Sequence, residues 1–192
     1  MTALILGLLV FLGVHSVRIF AEDWRNRQIA SMGMGLWKTW YSLAAVIGFV
    51  LLVWGYGHAR LATVQIWTPP HWTATIAALL TVPAFILLVA AYVPRTRIKA
   101  AVGHPMVLGV KVWALAHLIA NGTLADIVLF GAFLLWAVVD YSAARRRDRA
   151  KAVRYTAGPA SRDVIAVVIG LAAWAAFAFW LHGPLIGVQP FV

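Results

Sequence analysis

The sequence predicts an all-α fold, a six-helix transmembrane bundle. Two observations lead there: 63% of the 192 residues are hydrophobic and only 11% are charged, where soluble domains carry about 25% charge. A third is the placement of the charge. Lysine and arginine collect in alternate loops, as they do on the cytoplasmic side of membrane proteins. A chain of this length and composition reads as one domain, 1–192. It excludes a disordered chain and argues against a soluble enzyme. With no cysteine, disulfides, iron–sulfur clusters, thiolate zinc, covalent C-type haem and a cysteine nucleophile are excluded.

Six apolar stretches read as spans, at 2–20, 39–57, 73–93, 105–121, 124–142 and 164–182. Each is long enough to cross, or nearly cross, a hydrocarbon core of about 30 Å. The fourth carries Lys111 at its middle, but Pro105 suits a first helical position and Asn121-Gly122 a stop. Thr123 with Asp126 reads as a capping box opening the fifth span. Ser161 and Asp163 offer starts for the sixth. Arg18 ends the first span, and Arg25, Arg27 and Lys38 follow it. Arg95, Arg97 and Lys99 follow the third, and seven cations between Arg145 and Arg162 follow the fifth. The other side holds only Arg60. The positive-inside rule then puts both termini on the periplasmic side. The first span, preceded only by Met1-Thr2, reads as retained and not as a cleaved signal. The segment 143–162 reads as the one extended loop. Its basic run, 145–154, reads as a topology determinant facing membrane lipid and not as a nucleic-acid site.

Ionisable groups within spans are functional candidates because lipid burial is costly. His15 and Arg18 share a face of the first span. His104 and Lys111 share a face of the fourth, and His117 lies about 240° round from Lys111. Two buried histidines without cysteine suit a bis-histidine haem b or another imidazole-bound metal, with Arg18 and Lys111 neutralising haem propionates. Each residue also has a structural reading. His15 and His117 suit neutral imidazoles bonded between helices, Lys111 an ion pair with Asp140 or Asp126, Arg18 a snorkelling cation, and His104 a cap. His58, His71 and His182 fall at the outer interface, and Trp113, Trp136 and Trp174 suit packing. No His-x-x-x-His box, Walker loop or Gly-x-Ser-x-Gly elbow occurs.

Longer motifs extend these features. They run from Gly7 through His15-Ser16-Val17-Arg18, then Tyr41-Ser42-Leu43, Val53 to Gly57 with Ala59-Arg60, and Trp67 to Pro70 with Trp72. They continue as Pro83 to Pro94, Arg97-Ile98-Lys99, His104-Pro105-Met106, Gly109 to His117-Leu118, Ala120-Asn121-Gly122, Phe130-Gly131 and Trp136-Ala137-Val138. The chain resembles the NnrU family in these segments, clearly over 1–150 and loosely over the last helix, 164–182. The resemblance implies a bacterial inner-membrane protein linked to nitrate, nitrite and nitric oxide metabolism, with denitrification proteins as partners. The family is also similar to plant zeta-carotene isomerase, an integral membrane haem b enzyme acting on a lipophilic carotenoid. By motif its haem histidines correspond to His15 and His117, and its His-Pro pair to His104-Pro105. A helix-four cysteine of that enzyme falls at about Ala114 here, so ligand exchange to sulfur is not available.

Depth favours a different pairing. His15 lies about one turn from the inner end, and His117 about 20 Å beyond His104, so straight helices would pair His15 with His104. The motif match favours His117. Two other function classes stay open. His104-Pro105 with Asn121 is similar to the S-adenosylmethionine segment of isoprenylcysteine methyltransferases, although Gly103 stands where those have arginine. The third class is a non-enzymatic accessory protein for denitrification whose buried charges only fix packing.

Overall fold

The computed structural model describes residues 1–190. Its elements are α1 (Thr2–Phe20), α2 (Glu22–Leu61), α3 (Trp72–Tyr92), α4 (Arg97–Val102), α5 (Pro105–Ala120), α6 (Leu124–Ala150) and α7 (Ser161–Ala176). A π-helical turn, Phe177–Leu181, and α8 (His182–Ile186) continue α7. No strand occurs among the described residues, only an isolated bridge between Gln65 and Thr123. Five helices are long and apolar enough to cross a bilayer: α1, α2, α3, α6 and the run Ser161–Ile186. The expected fourth span, α5, has 16 residues and is shorter than that length.

Large side chains such as Leu9, Val50, Leu79, Leu135, Val168 and Trp180 are exposed on these helices. That is the surface a lipid-facing bundle needs, because lipid and not water is its solvent. Inside, small residues let backbones approach. A Cβ at Gly7 would run into the backbone of Leu52, one at Gly55 into that of Leu4, and one at Gly48 would lie 2.7 Å from Phe11 N. These three glycines form the seam between α1 and α2. Gly170 does the same for α7 against Ile86 of α3. Close backbone approach is what drives association where no hydrophobic effect separates helix from lipid.

The local signals hold at several ends. Pro105 opens α5 and the helix stops before Asn121. Thr123 and Asp126 form the full capping box of α6. Gly122 packs directly on the carbonyl of Trp67, and Ile66 and Trp67 both donate to the Gly122 carbonyl. The outer loop is thus zipped to the α5–α6 turn.

Three expectations are corrected. The segment after the first span is helical from Glu22, and the break falls at Gly33, whose φ of 81° and ψ of 158° interrupt α2. The expected loop 143–162 is half helix, because α6 runs on to Ala150. Charge ends the membrane span there without ending the helix, since arginine and alanine are good helix formers. Neither Ser161 nor Asp163 caps α7 with its side chain. Asp163 instead accepts from the backbone N–H of Ile98 at 3.1 Å and ties α7 to α4.

Candidate functional site

α6 is the centre of the candidate site. Phe133 lies 5.9 Å from Phe11 of α1 and 5.6 Å from Trp113 of α5, ring centre to ring centre. α1 and α5 therefore flank α6. One turn inward Trp136 meets His15, at 6.1 Å and edge-on; one turn outward Phe130 stacks on His117 at 4.6 Å. Numbers rise together along α1 and α6 and in opposite senses along α5 and α6, so α1 runs parallel to α6 and α5 antiparallel. The result is a groove with aromatic residues of α6 as floor and α1 and α5 as walls.

The rings on the two walls lean toward each other. His15 Nδ1 lies 2.6 Å from the Phe11 carbonyl, and His117 Nδ1 lies 2.9 Å from that of Trp113. A carbonyl only accepts, so Nδ1 carries the hydrogen in both rings and Nε2 keeps its lone pair. Each ring reaches back toward its own helix N-terminus, as helical side chains do. On antiparallel walls these directions converge. The floor contacts of the two rings are six residues apart on α6, about 9 Å along the axis, and the lean reduces that offset from both ends. His58 makes the same bond to Trp54, but it is exposed at the outer end of α2.

His104 is held differently. Its Nε2 lies 2.8 Å from Asp148 Oδ2 and 3.3 Å from the Tyr155 hydroxyl, which donates to Asp148 at 3.1 Å. Arg145 stands 3.6 Å from the same carboxylate. Here Nε2 carries the hydrogen, the opposite tautomer. Burial, the hydrogen bond to Asp148 and its charge together raise the Tyr155 hydroxyl above its ordinary range. Asp148 and Tyr155 were missed in the sequence because they lie 44 and 51 residues from His104, within a run dominated by arginine.

Arg18 sits at the inner mouth, half-exposed and 3.9 Å from Glu22. Asp140, 3.9 Å from Arg147, lies within electrostatic range of Arg18, His15 and His104. At the outer end Tyr56 donates to Asp126 at 2.6 Å. Lys111 is not brought into the groove. The expected ion pairs are absent: Asp126 is taken by Tyr56 and Thr123 and Asp140 by Arg147, while Lys111 has no polar partner among the described residues. No cluster of three or more metal-ligating side chains occurs among them either.

The donor set suits a haem. Two imidazoles stand on opposite walls of an aromatic groove, each with Nδ1 fixed by a backbone carbonyl and Nε2 left for a metal. That is how metal-binding histidines are oriented. Trp136 adds a buried indole N–H that has no hydrogen-bond partner among the described residues.

Fold and site together define a multi-span helical membrane protein with paired histidines on an aromatic floor. The NnrU protein family model matches residues 3–190, and the chain belongs to that family. Neither a curated protein nor a solved structure matches it.

Proposed function

We propose that this protein is a haem b-binding membrane protein whose iron ligands are His15 and His117. One observation carries the reading: on each of the two helices that flank α6, a histidine ring bonds a backbone carbonyl through Nδ1, which leaves Nε2 for a metal. His104 is the weaker candidate because its Nε2 is committed to Asp148. Haem b supplies a one-electron ferric–ferrous couple when bound. The chain's residues set the surroundings of that couple. Phe11, Trp113, Phe130 and Phe133 keep water from the two imidazoles. Backbone carbonyls hold both rings in the ligating tautomer. Arg18 places a guanidinium at the inner mouth, where it matches a carboxylate.

The membrane context extends the reading. With α5 counted as a short span, six crossings would put both termini on one side, and the lysine and arginine distribution supports the periplasmic side of a bacterial inner membrane. Family membership supports a role in nitrate, nitrite and nitric oxide metabolism, alongside denitrification proteins. A substrate that reaches an aromatic groove through lipid is itself apolar: nitric oxide or a carotenoid-like polyene, whose redox-dependent isomerisation would use the same site.

The test is an absorption spectrum of the protein in mild detergent, oxidised and then reduced with dithionite. The expected result is a Soret band with sharp reduced α and β bands, lost in His15→Ala and His117→Ala and kept in His104→Ala. A wild-type protein that stays colourless after haem is supplied overturns the reading and favours the accessory role.

A further inference from the structure

Trp136 carries an unresolved polar demand. Its Nε1 is buried and has no acceptor among the described residues. An indole N–H donates only, and a donor left buried and unpaired is destabilising. Its one ring neighbour among the described residues is His15, at an interplanar angle of 89°. The orphan donor therefore stands beside one of the two groove histidines, on the inner half of the floor, on the side of Arg18.

We propose that the Trp136 indole N–H donates a hydrogen bond to a carboxylate of the molecule held between His15 and His117, an inference that rests on the haem reading above. The chemistry of haem b selects that acceptor. Its pyrrole nitrogens are committed to iron, its vinyl and methyl groups are apolar, and His15 and His117 would hold the iron. The propionates are the only strong acceptors left. Arg18, one turn beyond His15 on α1, would offer a second, cationic group for the same carboxylates.

The experiment measures haem loss from detergent-solubilised protein to excess apomyoglobin, using native haem and haem dimethyl ester, in wild type and Trp136→Phe. The expected result is loss of native haem about tenfold faster from Trp136→Phe, the size of one hydrogen bond to a charged group. The ester should leave wild type faster by a similar factor, and the variant no faster still. Equal retention of native haem by variant and wild type overturns the assignment while leaving the histidine ligands in place. So does a variant effect that persists undiminished with the ester. If Trp136→Phe takes up no haem at all, the wild-type ester comparison decides, and unchanged retention of the ester overturns it. Failure of wild type to take up haem overturns the ligand reading, and this inference with it.

Discussion

The α1–α2 seam and the α1–α5 groove share a helix and solve opposite problems. In the seam, Gly7, Gly48 and Gly55 remove side chains so that two backbones touch. In the groove, Phe11, His15, Trp113 and His117 instead bring rings from the flanking helices onto the aromatic residues of α6. Both elements of α1 recur on successive turns: Leu4, Gly7 and Leu8 are buried, and Phe11 and His15 follow. α1 packs backbone to backbone on α2 along one stretch and presents rings to α6 along the next. The first region is built for close packing, and the second carries the candidate site.

Substitutions should separate the two, and the largest effect belongs to the seam. Gly55→Leu places a side chain against the backbone of Leu4 and should cost about 3 kcal/mol or more, since overpacking a tight interface forces backbone movement. Loss of a cooperative thermal transition in detergent would show it; a native transition would mean that the seam yields easily. Asp126→Ala comes next. It removes the capping-box carboxylate and the acceptor of Tyr56, an expected loss of about 2–3 kcal/mol, read as a lower unfolding midpoint.

Groove substitutions should behave in the other way. His15→Ala in haem-free protein should shift the unfolding midpoint far less than Asp126→Ala, because the ring's only hydrogen bond is to its own helix. A collapse equal to that of Asp126→Ala would make His15 a packing residue and erase the contrast. The smallest effect lies at the inner surface. Tyr155→Phe removes one hydrogen bond to Asp148, about 1 kcal/mol, and should speed tryptic cleavage at Lys151 and Arg154. The Tyr155 hydroxyl is raised above its ordinary value, so its protonated form is the one the fold favours. Its contribution is complete below the unfolded tyrosine pKa of about 10 and is lost as pH rises through the higher folded value. Cleavage of wild type should therefore stay slow up to about pH 10, then approach that of the variant.

Much of this architecture could be read from hydropathy and caps. Thr123 and Asp126, Pro105, and the apolar runs at 2–20 and 73–93 each carry a local physical signal, and each lies where that signal places it. What hydropathy misses is helix outside the membrane. The stretch 22–32 and the end of α6 are charged, so an apolar scale sees loops where backbone hydrogen bonds continue. His15 and His117 were legible as costly groups in lipid. Their convergence was not, because it depends on α1 running parallel and α5 antiparallel to α6, which no local pattern encodes. Trp136 read as packing because nothing in a sequence shows whether an indole N–H finds an acceptor.

The unbroken run of α6 has a mechanical consequence. The helix that floors the groove at Trp136 also carries Asp148, twelve residues or about 18 Å further along one rigid axis. A tilt of about 5° pivoting at Trp136 would swing Asp148 sideways by about 1.6 Å, given that rise per residue. That is more than half of its 2.8 Å separation from His104 Nε2. The shaft thus converts a small angular change within the apolar bundle into a displacement large enough to make or break a contact at its arginine-rich end.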